Sequence, residues 1–351
     1  MNILLVSHEA DMDGVTSMLL SELLAIYAYN NNANTTPLYV GYNDAVANMK
    51  EAVTKAHYDA VIVTDLSFTL DIHKECFPHI DPINFWFFDH HKTTEPTIFK
   101  WLEKGYPHIN FDCKGEACAA DLIYDNILRV LNPNRDGRDV ANRTVPFHGI
   151  AVKYLVEQTH AGDLWLTNHV LFENSRKMSV VLAQLGPEVV GDLLWKQVEL
   201  GDPREWANYD RGLVCKAAYD IGMRGLEASL KLANASKWAW DLGGTGAELV
   251  VCYAFGETSQ VGNDLCLGKK AIVCMVDMKT GGLSFRSNKE TVEALGGISC
   301  RSIAEEMGGG GHPHAAGAPF PENTYEGGLG YVTRMVEAAY HRCVEKQKVT
   351  V

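Results

Sequence analysis

Residues 83–92 read Ile-Asn-Phe-Trp-Phe-Phe-Asp-His-His-Lys, an almost continuously apolar run that ends in an acid and two histidines. Such a run, rich in large aromatic residues and without a polar period, suits a strand covered on both faces, as in a parallel sheet. Three shorter runs upstream have the same character: Ile3–Val6, Leu38–Tyr42 and Ala60–Thr64. Between them, Val15–Tyr29 places Met18, Leu19, Leu23 and Ile26 on one helical face, and Ala45–Ala56 also reads as a helix. The expectation is an α/β fold with an N-terminal parallel sheet.

The acids fall where the strands end. Asp11, Asp13, Asp65 and Asp89 each lie at or just beyond the end of a strand run. In an open parallel sheet, the carboxyl ends of the strands line the ligand crevice. Four acids at one edge repel one another unless cations lie between them.

Each motif has a bland reading beside the functional one. In His8-Glu9-Ala10-Asp11-Met12-Asp13-Gly14, two carboxylates and an imidazole can reach different ions, and Gly14 permits a tight turn into the helix. An acidic turn capping that helix explains the stretch equally well. Asp65, after Thr64, reads alone as a turn or cap residue. In Asp89-His90-His91, one imidazole can bind metal while its neighbour faces a substrate, with Asp89 holding an imidazole in the required tautomer. Asp163, in His160-Ala161-Gly162-Asp163-Leu164-Trp165, is weak by itself.

Further along, 115–131, 145–158, 174–200 and 209–237 have helical character, and a Gly-rich turn at Leu242–Gly246 marks a boundary. Glu248–Phe255, Ala271–Asp277 and Gly282–Arg286 read as strands, and 300–307 and 326–346 as helices. This predicts a second, smaller α/β domain. It carries Phe285-Arg286-Ser287 and then Gly308-Gly309-Gly310-Gly311-His312-Pro313-His314-Ala315-Ala316-Gly317. Consecutive glycines expose backbone N–H groups that can surround a phosphate, and Arg286 can add bidentate contacts. A flexible linker is the alternative, and the flanking residues argue against it.

The chain has 351 residues, too many for one comfortable core, and a formal net charge of −13. That acidity opposes a grip on long duplex nucleic acid and favours short or small substrates. No run approaches the ~20 apolar residues of a membrane span. The nine cysteines contain no Cys-x-x-Cys pair, and no histidine cluster beside Cys113 and Cys118 completes a zinc site. They read as ordinary reduced thiols. With no secretory leader apparent, the expected location is cytoplasmic.

Taken together, Asp11-Met12-Asp13-Gly14, Asp65, Asp89-His90-His91, Asp163 and the Phe-Arg-Ser and Gly-Gly-Gly-Gly-His-Pro-His-Ala-Ala-Gly segments resemble the DHH phosphoesterases that carry a DHH-associated C-terminal domain. Within that family the chain looks most like the nanoRNase (oligoribonuclease) branch. With the helical stretches and the boundary at Leu242–Gly246, the expected organisation is a catalytic domain over 1–190, a helical linker over 191–245 and a substrate-binding domain over 246–351. The resemblance implies two Mn²⁺, with Mg²⁺ or Co²⁺ as substitutes: His8, Asp11 and Asp65 would hold one ion, and Asp13, Asp65, His90 and Asp163 the other. Asp65, Asp89 and His91 would be catalytic. Arg286, Gly309, Gly310, Gly311 and His312 would bind substrate.

The implied activity is hydrolysis of short single-stranded RNA or DNA to nucleoside monophosphates, with a homodimer plausible and no membrane partner. Relatives attack cyclic dinucleotides, other small nucleotides or phosphoanhydrides, or degrade single-stranded DNA. A protein that keeps the fold but only binds nucleotides is the rival from another class. The resemblance says nothing useful about residues 166–245.

Overall fold

The computed structural model describes residues 1–29, 32–41, 44–92, 94–112, 114–131, 149–201, 213–320 and 324–350. Cys113, Tyr42 and the parts of the expected helices at 145–148 and 209–212 lie outside these residues. The chain divides into two compact units, Met1–Gly222 and Met223–Val351.

The first unit is built on five parallel strands: β1 (Asn2–His8), β2 (Asn34–Val40), β3 (Ala60–Thr64), β4 (Phe85–Asp89) and β5 (His108–Phe111), in the order β2-β1-β3-β4-β5. Side chains alternate between two cores, which explains why the strands read as unbroken apolar runs. Ile3, Leu5, Ile62, Trp86 and Phe88 face one core, shared with α1 (Met12–Ala28), α5 (Ala119–Leu131), α6 (Gly149–Asp163), α7 (Phe172–Leu185) and α8 (Pro187–Leu200). Leu4, Val6, Val61, Val63, Phe85 and Phe87 face the other, beneath α2 (Ala45–Lys55), α3 (Leu70–Cys76) and α4 (Glu95–Glu103).

Pro82–Asn84 form a 3-10 turn, so β4 begins at Phe85, not at Ile83. Proline at the start of the turn and the Asp81 side chain accepting from the Ile83 N–H favour the tighter geometry.

The strand order reverses direction between β1 and β3. In open α/β sheets such a switch point leaves a crevice at the carboxyl ends of the two strands. His8 closes β1 and Asp65 follows β3, so both lie at that crevice. Asp11 caps α1, accepting from the Gly14 N–H at 3.0 Å. A Cβ on Gly14 would stand 2.0 Å from the His8 carbonyl oxygen, so only glycine lets the helix start this close to the strand end.

The second unit is a six-stranded mixed sheet in the order β10-β11-β9-β8-β7-β6: β6 (Trp238–Asp241), β7 (Glu248–Ala254), β8 (Ala271–Asp277), β9 (Gly282–Arg286), β10 (Gly310–Gly311) and β11 (Ala315–Pro319). Only β7 and β8 are parallel. One face packs Leu249, Ile272 and Phe285 with Ile303 of the helix Cys300–Glu305 and Val332 and Val336 of the helix Thr324–Thr350, which is interrupted at Gly328. The other face packs Val250, Val273 and Met275 with Val261 of the helix Thr258–Cys266 and Leu226 and Ala233 of the helix Leu213–Ser236. No helix among the described residues is long and apolar enough to cross a membrane.

Candidate metal centre

The first unit gathers eight of the candidate residues at the carboxyl edge of its sheet. His90 Nε2 faces three carboxylates at nearly equal range: Asp65 Oδ1 at 3.5 Å, Asp13 Oδ2 at 3.6 Å and Asp163 Oδ2 at 3.6 Å. Asp163 is the last residue of α6, and its side chain is the most open of the three acids. Beside this group, His8 Nδ1 meets Asp11 Oδ2 at 3.1 Å. The donor atoms of His8, Asp11 and Asp65 lie within 4.8 Å of one another, as do those of Asp13, His90 and Asp163, and of Asp65, His90 and His91. Asp65 therefore belongs to both sides of the cluster.

Asp13, Asp89 and Asp65 are held in place by groups that the sequence motifs did not reveal. Asp13, fully buried, accepts from the backbone N–H groups of Ala119 and Ala120 at 2.8 and 2.9 Å, where α5 begins. Those amides stabilise the carboxylate through both charge and helix polarity. Asp89 accepts from Thr94 Oγ1 on one oxygen, and from His91 Nδ1 and the His91 backbone N–H on the other, with both side-chain contacts at 2.6 Å. Asp65 adopts a left-handed backbone (φ 51°), a conformation that Asp and Asn tolerate better than other side-chain-bearing residues. Its amide donates to the Phe88 carbonyl at 2.9 Å, tying the turn to β4.

The electrostatics of this arrangement are unfavourable without cations. Burial, followed by the charges of Asp13, Asp11, Asp163 and Asp89, holds the Asp65 carboxyl well above the usual carboxylate range. Burial and the neighbouring acids do the same to Asp163. Burial raises Asp13 as well, against the pull of His90. Asp65 Oδ2 is buried and makes no hydrogen bond among the described residues. A buried carboxylate oxygen without a donor, amid other acids and imidazole nitrogens, fits a divalent cation of the Mn²⁺ type, which takes oxygen and imidazole ligands together.

The second unit brings the other candidates to the end of β9. Ala315 of β11 pairs with Arg286, and Gly311 of β10 with Ala316, so the glycine run and His312 stand close to Arg286 along the sheet. The Arg286 guanidinium donates to Ser259 Oγ at 2.6 Å, Phe285 O at 2.7 Å and Ser284 Oγ at 3.1 Å. No carboxylate pairs with it among the described residues, and burial lowers its pKa from the ordinary value. A Cβ on Gly262 would lie 2.6 Å from Arg286 Cγ, so this glycine makes room for the arginine stem. Ser259 and Gly262 were not legible as site residues, because they precede Arg286 on a helix with no motif of its own.

Three of the four glycines have structural duties. A Cβ on Gly309 would stand 2.0 Å from the Gly317 carbonyl oxygen and one on Gly311 2.7 Å from that of Ala315, while Gly308 has φ +81°. Around Gly310 nothing lies within 4 Å of such an atom.

A further group was missed by the sequence reading. Cys118, Asp121 and His160 place a thiol, a carboxylate oxygen and a ring nitrogen within 4.8 Å of one another. Local spacing could not reveal it, since His160 is 39 residues beyond Asp121.

No family model matches the chain, and no curated protein matches it. Solved structures do. One described as the DHH domain of a member of a ribosomal protein family aligns over 98% of this chain and 86% of its own, with TM-score 0.61 and 14% identity. An exopolyphosphatase-related protein from Bacteroides fragilis aligns over 97% and 92%, with TM-score 0.51 and 13% identity. A pGpG-specific phosphodiesterase from Vibrio cholerae aligns over 97% and 100%, with TM-score 0.51 and 14% identity. At these identities the likeness is one of architecture, and it establishes that this chain shares the fold of the DHH-domain structure over nearly its whole length.

Proposed function

We propose that the chain is a metal-dependent phosphoesterase that hydrolyses phosphodiester bonds in short oligonucleotides, releasing nucleoside monophosphates. The observation that carries this reading is the pair of donor sets meeting at Asp65, with its unpartnered buried oxygen. His8, Asp11 and Asp65 would hold one Mn²⁺, and Asp13, Asp65, His90 and Asp163 a second. When bound, such a pair supplies positive charge for phosphoryl oxygens and lowers the pKa of the attacking water.

The protein's own groups do the remainder. Asp65 links the two sets, and the α5 amides keep Asp13 oriented. Asp89 fixes the His91 ring through Nδ1, so that Nε2 is the nitrogen offered to a phosphoryl oxygen as charge develops there. In the second unit, Arg286 is a largely buried cation whose hydrogen-bond partners among the described residues are all neutral. It would bind a substrate phosphate together with His312 and the amides at Gly309, Gly310 and Gly311.

A second substrate reading has specific support in the fold comparison. One similar structure is a pGpG-specific phosphodiesterase and another is exopolyphosphatase-related, so linear dinucleotides and polyphosphate belong in the same assay, with the cyclic dinucleotides that the family resemblance implies. Purified protein with Mn²⁺ would be given RNA and DNA from dinucleotides to long oligomers, beside those three substrates, with Asp65→Asn as control. Rapid conversion of the shortest oligomers, with slow loss of long ones, is the expected outcome. Turnover of none of these substrates, or full activity in Asp65→Asn, refutes the proposal.

A further inference from the structure

Cys118, Asp121 and His160 share no residue with the two donor sets above. Cys118 is fully buried, and its thiol lies beside a carboxylate oxygen and a ring nitrogen rather than among apolar groups alone. Asp121 Oδ2 accepts from the Cys118 backbone N–H at 2.9 Å and from His160 Nδ1 at 2.7 Å. The Asp121 and His160 side chains are 24% and 28% exposed, enough for an ion to enter and for water to complete its coordination.

We propose that these three side chains form a separate metal site, suited to Zn²⁺ or another ion that accepts sulfur, imidazole and carboxylate together. Softness decides the class: a thiolate ligand selects zinc-like ions, whereas carboxylate-rich sites suit Mn²⁺. Ligands of one tetrahedral zinc stand roughly 3.4–3.7 Å apart. The required movement from the present spacing is small: the Asp121–His160 contact opens by about 1 Å, and the thiol closes from within its 4.8 Å range. Binding replaces the S–H bond by an S–metal bond and releases the proton to solvent.

The placement gives the ion a purpose. Cys118 directly precedes the two amides that hold Asp13, and His160 lies one helical turn before Asp163. An ion joining Cys118 to His160 would clamp the start of α5 to the end of α6, and so position one acid on each side of His90.

Co²⁺ added to the metal-free full chain reads the site directly, because cobalt–thiolate bonds absorb in the near ultraviolet and cobalt–carboxylate bonds do not. The expected result is a thiolate band in the wild type, with one more bound ion per chain by elemental analysis than Cys118→Ser takes. Cys118→Ser should lose the band, whereas Cys113→Ser and Asp65→Asn should keep it; the last separates this site from the Asp65 centre. A wild-type spectrum without the band overturns the proposal, whatever the variants do. Should Cys118→Ser fail to fold, His160→Gln replaces it, with loss of the extra ion expected and an unchanged ion count refuting the site.

Discussion

Asp65→Asn should make the protein more stable without metal and less stable with it. The substitution leaves shape and backbone nearly untouched, since Asn tolerates the left-handed conformation at this position as well as Asp does. It removes a charge from a buried place surrounded by four other acids. Donor atoms of Asp65 and Asp11 lie within 4.8 Å, where two full charges repel by about 3 kcal/mol at an effective dielectric of about 20. Part of that repulsion is already relieved by protonation, because Asp65 sits well above the ordinary carboxylate range. The net gain in chelator should be about 1–3 kcal/mol, or about 2–10 °C for a unit of this size. With Mn²⁺ at about a thousand times its dissociation constant, the wild type gains about 4 kcal/mol that the variant largely lacks. Thermal unfolding in EDTA and in Mn²⁺, followed by hydrogen exchange at β1, β3 and β4, reads both arms. An Asp65→Asn protein less stable than wild type in EDTA, or equally stabilised by Mn²⁺, would refute the electrostatic reasoning.

Three other perturbations test separate links. Gly14→Ala drives a methyl group into the His8 carbonyl and should cost about 1–3 kcal/mol or more, with Mn²⁺ affinity falling in parallel by calorimetry. Gly310→Ala meets nothing within 4 Å and should leave the melting temperature unchanged, whereas Gly309→Ala should destabilise the second unit; any rise in KM for Gly310→Ala then reports ligand approach. Burial, aided by Lys74, pushes His73 down to about 4 from the ordinary 6.5. The unfolded chain thus takes up this proton before the folded one. The His73 contribution is complete above pH 6.5 and is lost as pH falls towards 4, by about 2–3 kcal/mol. His73→Phe should flatten that part of a stability–pH curve measured by urea unfolding.

The parts of this fold that were legible in the sequence are those where one physical cause dominates. Strands buried on both faces cannot alternate, so β3 and β4 announced themselves as apolar runs ending in acids. β5 and β6 were not visible: His108–Phe111 is half-buried along its length, and Trp238–Asp241 is a mostly exposed edge, so neither has an apolar period. The helices α7 and α8 carry Met178, Val181, Leu194 and Val198 into the first core. Their sequence showed helical character but could not say which core they join, because amphipathic spacing does not name its partner. In the candidate site, the acids and histidines stand in strand-end motifs, except Asp163, which ends a helix and carried little signal alone. Their supports were not legible, since the Ala119 and Ala120 amides and Thr94 Oγ1 act through groups that carry no residue-type signature.

The glycine run shows how one motif can have two independent causes. Read alone, four glycines suggest a cradle of amides for phosphate. In the sheet, Gly309 and Gly311 are needed because β10 approaches β11 too closely for any side chain, and Gly308 because of its backbone angle. Those three would be required with no ligand at all. What distinguishes the place is the neighbouring Arg286, held by Ser259, Ser284 and the Phe285 carbonyl, all of them neutral. In a chain with net charge −13, carboxylates are abundant, so a largely buried guanidinium left without one among the described residues is a costly arrangement. An anionic ligand bound there would offset that cost. The inference to phosphate therefore rests on the unpaired arginine more than on the glycines, and Gly310 is the one residue of the run whose identity the fold leaves open.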